Sequence, residues 1–212
     1  MTESRLQLAS PAEISALSYA NPRLAYVLVT NRAALRPNSY EVRGEFTTGN
    51  VNDFVEVAFR SRLYADAWVQ RVQYTIQRPN YATGSPLKFW FDRQMRETPY
   101  IDVYGKIDGV DTWDFTNTPQ PIENLFAASG NSMPDGMLSD KGIVLPRDSS
   151  PWMRWTLTRQ LEQTEIPLIV RMTFHCQELM GCRLTEITLL EAVARLRSLG
   201  YLPPEDVTNQ GA

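Results

Sequence analysis

Lysine is nearly missing from this chain. It occurs only at Lys88, Lys106 and Lys141, so arginine supplies almost all of the 21 basic residues. Histidine occurs once, at His175, and cysteine twice, at Cys176 and Cys182; glycine is limited to 11 of 212 residues. Each shortage excludes something. Two cysteines make no disulfide framework, and reduced thiols are the default reading. A C-x5-C pair with one nearby histidine is too few ligands for structural zinc, which takes four, usually in close pairs. His175 lies between Phe174 and Cys176 in a strand pattern, and adjacent strand residues point to opposite faces. That argues against a Cys176–His175 catalytic pair, and no G-x-S-x-G supplies a serine nucleophile. Neither G-x-G-x-x-G nor G-x-x-x-x-G-K-[ST] occurs, which argues against a nucleotide loop. No run approaches the ~18 apolar residues of a membrane span. The opening "MTESRLQLASPAE" lacks the basic-then-apolar order of a signal peptide. The expectation is a protein made, and kept or assembled, in a cytoplasm, with no membrane partner. A net charge of −3 and a pI of about 5.3 lack the basic excess of a nucleic-acid-coating protein. No direct nucleic-acid contact is expected.

What is present is an ordinary globular composition, 43% hydrophobic and 21% charged, in a length that fits a single domain able to bury a core without staples. The reading is one β-rich domain over residues 1–200 and a tail over 201–212. Arginine and aromatics at the expense of lysine is the composition of protein interfaces. A GC-rich genome, which favours arginine codons whatever the function, accounts for the same bias.

Along the chain, Ser10-Pro11-Ala12-Glu13 is a capping box with proline at the first helical position, predicting a short helix through about Leu17. "RLAYVLVTN" (23–31), apolar on both parities, predicts a buried strand. Residues 33–50 predict a loop and a short strand around Tyr40–Phe46. Residues 51–60 alternate, with Val55, Val57 and Phe59 on one face and Glu56, Ala58 and Arg60 on the other. Residues 67–78 place Trp68, Val72, Tyr74 and Ile76 on one parity, interrupted by Gln70, and Arg71, Gln73, Thr75 and Gln77 on the other. Pro79 stops that strand. Ser85-Pro86 opens a mid-chain helix through Leu87, Trp90, Phe91 and Met95, with a strand over "LKFWF" as the competing reading. "YIDVYGKIDG" (100–109) predicts a strand. Residues 110–151 are turn-rich and long for a compact domain, so they are either functional or packed on a neighbour. Strands over 151–160 and 166–179 follow. The second points Leu168, Val170, Met172, Phe174 and Cys176 inward and Arg171, Thr173, His175 and Gln177 outward. Thr188 to Glu191 caps a terminal helix with an apolar stripe of Leu189, Ala192, Val193, Leu196 and Leu199. Ile187 is placed to staple to Ala192, and Gly200 stands at the αL cap. The fold class expected is α+β, a mainly antiparallel β-sandwich or barrel-like core with an N-terminal, a mid-chain and a C-terminal helix.

No stretch announces a reaction. Asp108, Asp111 and Asp114 are three apart, whereas an EF-type loop needs acids two apart and a closing Glu. Trp152 and Trp155, near Arg154, are of the type that stacks a sugar or base, but a spacing of three puts them on opposite faces of a strand, so at least one belongs to the core. No cofactor and no metal is expected.

The stretches "WVQRVQYTIQRPN", "PLKFWFDRQMRETPYIDVYGKIDG", "TPQPIENLF", "SSPWMRWTLTRQL", "PLIVRMTFHCQEL" and "TLLEAVARLRSLGYL", in this order over roughly residues 50–200, resemble small structural proteins of tailed-bacteriophage particles. The resemblance implies a non-enzymatic, β-rich building block of a head, connector, tail or baseplate, located in the virion. Its partners would be other virion proteins or further copies in a symmetric homo-oligomer or ring. Arg71, Arg78, Tyr81, Arg93, Arg96, Trp152 and Arg154 are the interface candidates. A β-sandwich module binding carbohydrate or a host surface is the first alternative. A hydrolase built on carboxylates such as Glu56, Asp102 or Asp114 is the second.

Overall fold

The computed structural model describes residues 10–59, 63–78, 88–89, 101–106, 120–122, 135–137, 142–149 and 152–204. Helix α1 (Pro11–Ala20) starts on the expected reciprocal cap. Ser10 Oγ accepts the Glu13 N–H at 3.2 Å, and the Glu13 carboxylate accepts the Ser10 N–H at 2.7 Å. Residues 23–31 are not a strand: Pro22–Thr30 forms helix α2. Asn21 caps it by accepting the Leu24 N–H at 3.1 Å, Pro22 takes the first helical position, and Asn31 closes it at φ 51°. Apolar residues on both parities describe a helix buried on several sides as well as a buried strand. Leu24, Ala25, Tyr26 and Val27 are all buried.

Sheet A is antiparallel in the order β1 (Ala34–Phe46), β10 (Leu168–Met180), β3 (Asp66–Arg78), β4 (Lys88–Phe89). The far edge of β3 is shared among three short strands: β8 (Val144–Leu145) at Ala67–Trp68, β7 (Asp135–Met137) at Arg71–Gln73, and β4 at Gln77–Arg78. Sheet B is antiparallel in the order β2 (Phe54–Ala58), β9 (Trp152–Leu157), β5 (Ile101–Lys106), β6 (Gln120–Pro121). Curled sheet A and the smaller sheet B give the α+β, barrel-like architecture expected. β1 is longer than the sequence suggests and runs through Pro37 and Asn38. A proline is tolerated there because β1 pairs only with β10 among the described strands, leaving its other side without a ladder to break. The mid-chain helix needs correction where it is described: Lys88–Phe89 pairs with β3 as strand. An aromatic β-former beside an open sheet edge satisfies its backbone there. The remainder of that stretch lies outside the described residues.

The inner face of sheet A and the inward parity of sheet B enclose one core. Val42, Phe46, Val72, Leu168, Val170, Met172 and Phe174 meet Val57, Phe59, Met153, Trp155 and Leu157 there. Phe59 stands edge-on to Phe174 at 5.3 Å between centroids. Gly44 sits where the sheets converge. A Cβ at that position would fall 2.8 Å from the Trp155 ring and 3.0 Å from Val57.

A bulge lies in β3. Arg71 pairs with His175 and Val69 with Cys176, so Gln70 is the extra residue. Below it Ala67 and Val69 face the barrel core, and above it Val72 and Tyr74 do. Trp68 faces the other way, into a second core with α1, α2, Leu179, Leu184 and the terminal helix. The interruption at Gln70 in the sequence pattern is this change of parity. Asp66, 4% exposed, anchors two loops to the same end, accepting the N–H groups of Arg147 and Leu184 at 2.7 Å each.

Helix α3 (Leu189–Ser198) is capped by Thr188, whose Oγ1 accepts the Glu191 N–H at 3.1 Å. Glu191 does not return the bond as a capping box would; its carboxylate accepts from the Tyr26 hydroxyl at 2.6 Å and pairs with Arg32 at 3.2 Å. The apolar stripe is narrower than expected. Ala192 and Leu196 are fully buried with Ile187 in the helical core, whereas Leu189 and Leu199 are 53% and 40% exposed. Gly200 takes φ 80°, with Gly200 N–H bonded to Arg197 O and Tyr201 N–H to Leu196 O, the Schellman arrangement. Within 110–151, the described pieces pack on this protein's own sheets: Ile122 and Leu145 are buried in the barrel core.

Candidate functional site

The outward parity of sheet B forms an open, chemically mixed surface. Val55, Val57, Met153, Trp155 and Leu157 turn inward, so Phe54, Glu56, Arg154 and Thr156 turn outward. Register sets the rows: Phe54–Thr156–Asp102 and Glu56–Arg154–Tyr104. Arg154 lies over both neighbours on β2. Its Nη2 and Nε donate to Glu56 Oε1 at 2.6 and 3.1 Å, and its guanidinium stands 4.6 Å from the Phe54 ring centroid. Phe54 is 56% exposed. A planar cation lying over a ring and a carboxylate offers a platform for contact.

The carboxylates are not placed as a catalytic pair. Glu56 and Asp102 flank β9 on opposite sides and two residues out of register, which by strand spacing puts them roughly 12 Å apart, wider than the pairs that cleave glycosides. Burial pushes the Asp102 carboxyl above its ordinary value, while Glu56 is engaged by Arg154. Asp114 lies outside the described residues.

The described interface candidates lie on two surfaces. Arg154 and Trp152 share β9, with Trp152 half-buried and Trp155 fully buried. Arg71 lies on the outer face of sheet A, opposite His175. Arg78 ends β3 and is placed by its backbone only. Tyr81, Arg93 and Arg96 lie outside the described residues, as do Asp108 and Asp111. Phe54 was missed as a surface residue. Its signal was present, since it shares the outward parity with Glu56.

The inner face of sheet A ends in a polar cluster that sequence reading also missed. Glu178, 1% exposed, continues the inward parity of β10. Its carboxylate accepts from Arg36 Nε at 2.7 Å, from Asn38 Nδ2 at 2.7 Å and from the Tyr40 hydroxyl. Burial pushes this carboxyl up, but the Tyr40, Asn38 and Arg36 donors outweigh it and hold it below its ordinary value. Tyr40 moves up, through burial and through the carboxylate it donates to. The buried Cys176 thiol beside the cluster is pushed up to about 12, first by burial and then by Glu178; such a thiol stays protonated and unreactive. Cys182 also moves up through burial.

A groove of about 280 Å³ between the Tyr64 loop and the end of β10 is lined by Tyr64, Arg147, Met180, Cys182, Arg183 and Glu186. Its arginines are matched by Asp148 and Glu186 at 3.6 to 3.9 Å, so it carries little net charge. Among the described residues no group of three His, Cys, Asp or Glu side chains is placed to hold a metal ion, and no helix is long and apolar enough to cross a membrane. Comparison with family models, with curated proteins and with solved structures finds no match to this chain.

Proposed function

We propose that this chain is a non-enzymatic structural or assembly subunit of a bacteriophage particle that works through protein–protein contacts. The observation that carries the contact role is the Phe54–Arg154–Glu56 platform. An aromatic ring exposed to solvent beside an arginine, on an outward sheet face, is the kind of anchor that interfaces use. The sequence adds the lysine-poor, arginine-rich composition. The order of stretches resembling tailed-phage structural proteins supports the particle as the setting.

The subunit then acts in repeated copies or beside other virion proteins, with symmetry fixing the geometry of contact. Mass spectrometry of purified particles tests this directly. The chain is expected in stoichiometric amount, cross-linked to itself or to a neighbour through peptides containing residues 54–56 or 152–156. A chain absent from particles, or one monomeric and without partner inside them, overturns the proposal.

A further inference from the structure

The groove between the Tyr64 loop and the end of β10 brings together two arginines from separate segments, each fixed through its backbone. Buried Asp66 accepts the Arg147 N–H with one carboxylate oxygen and, with the other, the N–H of Leu184, the residue after Arg183; both bonds are 2.7 Å. The turn that carries Arg147 is held a second time. Asp148 N–H donates to the Leu63 carbonyl at 2.8 Å, and Leu63 N–H donates to the Ser149 carbonyl at 3.4 Å. The floor is apolar, with buried Ala65 and Leu179 beside half-buried Met180 and Cys182. Tyr64, 78% exposed, supplies an aromatic wall.

These two guanidiniums differ from those of Arg36, Arg154 and Arg159, which each donate to a carboxylate at 2.6 to 2.8 Å. Arg147 and Arg183 only approach one, and it is the same atom: Asp148 Oδ2, at 3.6 and 3.9 Å. Arg183 also stands 3.8 Å from Glu186. All three separations exceed hydrogen-bond distance, so neither fork is engaged by a carboxylate among the described residues. Both arginine side chains are 43% exposed and open to solvent. The Asp148 side chain is 65% exposed, on a backbone at φ 62°, a conformation that aspartate and asparagine accept. One carboxylate oxygen thus stands near two open forks without gripping either.

We propose that this groove binds the phosphoryl group of a small phosphomonoester, with Asp148 as an internal competitor for the same two arginines. A phosphoryl group presents three terminal oxygens and accepts from two guanidinium forks at once, whereas a carboxylate fills one. Asp148 turns to water as the ligand enters, giving up contacts that are worth little at an exposed site. The charge of the ligand then replaces the one Asp148 withdraws, so the balance of the groove is kept. A volume of about 280 Å³ lies at the small end of ligand sites, which limits the body behind the phosphoryl group to a compact one against Tyr64 and Met180. Asp148 and Glu186 stay beside the groove and repel a continuous polyanion more than a single charged group. This inference goes beyond the contact role proposed above and does not depend on it.

The test titrates the full chain with phenyl phosphate, followed by ligand-observed NMR. Benzoate serves as the carboxylate alternative, and inorganic phosphate and a single-stranded oligonucleotide serve as competitors. Phenyl phosphate is expected to bind, and inorganic phosphate to displace it. Arg147→Gln and Arg183→Gln should each weaken binding about tenfold. Asp148→Asn should tighten it about threefold, because the competitor loses its charge. Bound phenyl phosphate should also slow alkylation of Cys182, which lines the groove, while buried Cys176 stays silent. The three substitutions alter solvent-exposed side chains, so the variants should melt with the parent. Absence of binding, equal binding of benzoate, stronger displacement by the oligonucleotide than by inorganic phosphate, indifference to both arginine substitutions, or no gain from Asp148→Asn each overturns the inference. Such a failure leaves the subunit role untouched, since that role is read from particle composition.

Discussion

Two arginine–glutamate pairs join directly opposed strand residues in this protein, Arg36 with Glu178 on sheet A and Glu56 with Arg154 on sheet B. Chemistry and register are the same, but the solvent is not. The Glu178 side chain is 1% exposed and the Glu56 side chain 52%. Glu178 also collects Asn38 and Tyr40, so its carboxylate is enclosed by donors. Glu56 has Arg154 and water. A buried carboxylate must keep its partners or impose a large penalty, whereas an exposed one exchanges them for solvent at little cost. The first pair therefore fixes β1 against β10, and the second is free to take part in contacts.

The comparison breaks most readily at Glu178. Glu178→Ala should destabilise the protein by about 2–4 kcal/mol, short of a fully buried pair because Arg36 can turn to water, and lower Tm by roughly 2–4 °C per kcal/mol. Thermal and denaturant unfolding would show it, and a loss under 1 kcal/mol would make the two pairs equivalent. Next in size is Gly44→Ala at the junction of the sheets, where the new methyl meets the fully buried Trp155 ring; overpacking there should cost about 1–3 kcal/mol. Acid then separates the pairs. A carboxyl held below its ordinary value binds a proton less readily folded than unfolded. Its contribution is complete above the unfolded pKa and is lost as pH falls through the folded one. Tm should drop more steeply below about pH 4.5 in the parent than in Glu178→Gln, and parallel profiles would refute this. The smallest effect belongs to Glu56→Ala, about 0–1 kcal/mol. A large loss there would mean that sheet B depends on its surface pair.

Much of the framework was legible because it rests on period and caps. The alternation in β9 and β10, Ser10–Glu13 and Thr188 each specify local geometry with few residues. α2 was misread because a helix buried on several sides loses its polar stripe, leaving only Asn21-Pro22 and Asn31 to mark its ends. β1 was read short because Pro37 and Asn38 resemble a turn until the strand is known to lie at a sheet edge. The sites were less legible than the fold. Arg71 and Arg154 are alike in sequence, and only the assignment of faces puts them on separate surfaces. Glu178 continues an apolar parity, and nothing local announces that Arg36, Asn38 and Tyr40, some 140 residues earlier, will reach it.

The bulge at Gln70 has a consequence for how this sequence can change through descent. Because β3 switches parity there, the strand has in effect two reading frames, both of which face the barrel core, and the first also turns Trp68 into the helical one. Losing Gln70 alone would leave Ala67, Val69, Val72 and Tyr74 all facing the barrel, because Arg71 would then follow Val69 in the ladder as His175 precedes Cys176, whereas losing any of its neighbours while the bulge remains would turn one segment over. Single-residue insertions and deletions between Asp66 and Tyr74 should therefore be purged in relatives of this chain, except loss of Gln70 itself, which straightens the strand and keeps both frames. Length variation should accumulate outside β3, beyond Asp66 and Arg78, where no ladder imposes such a frame.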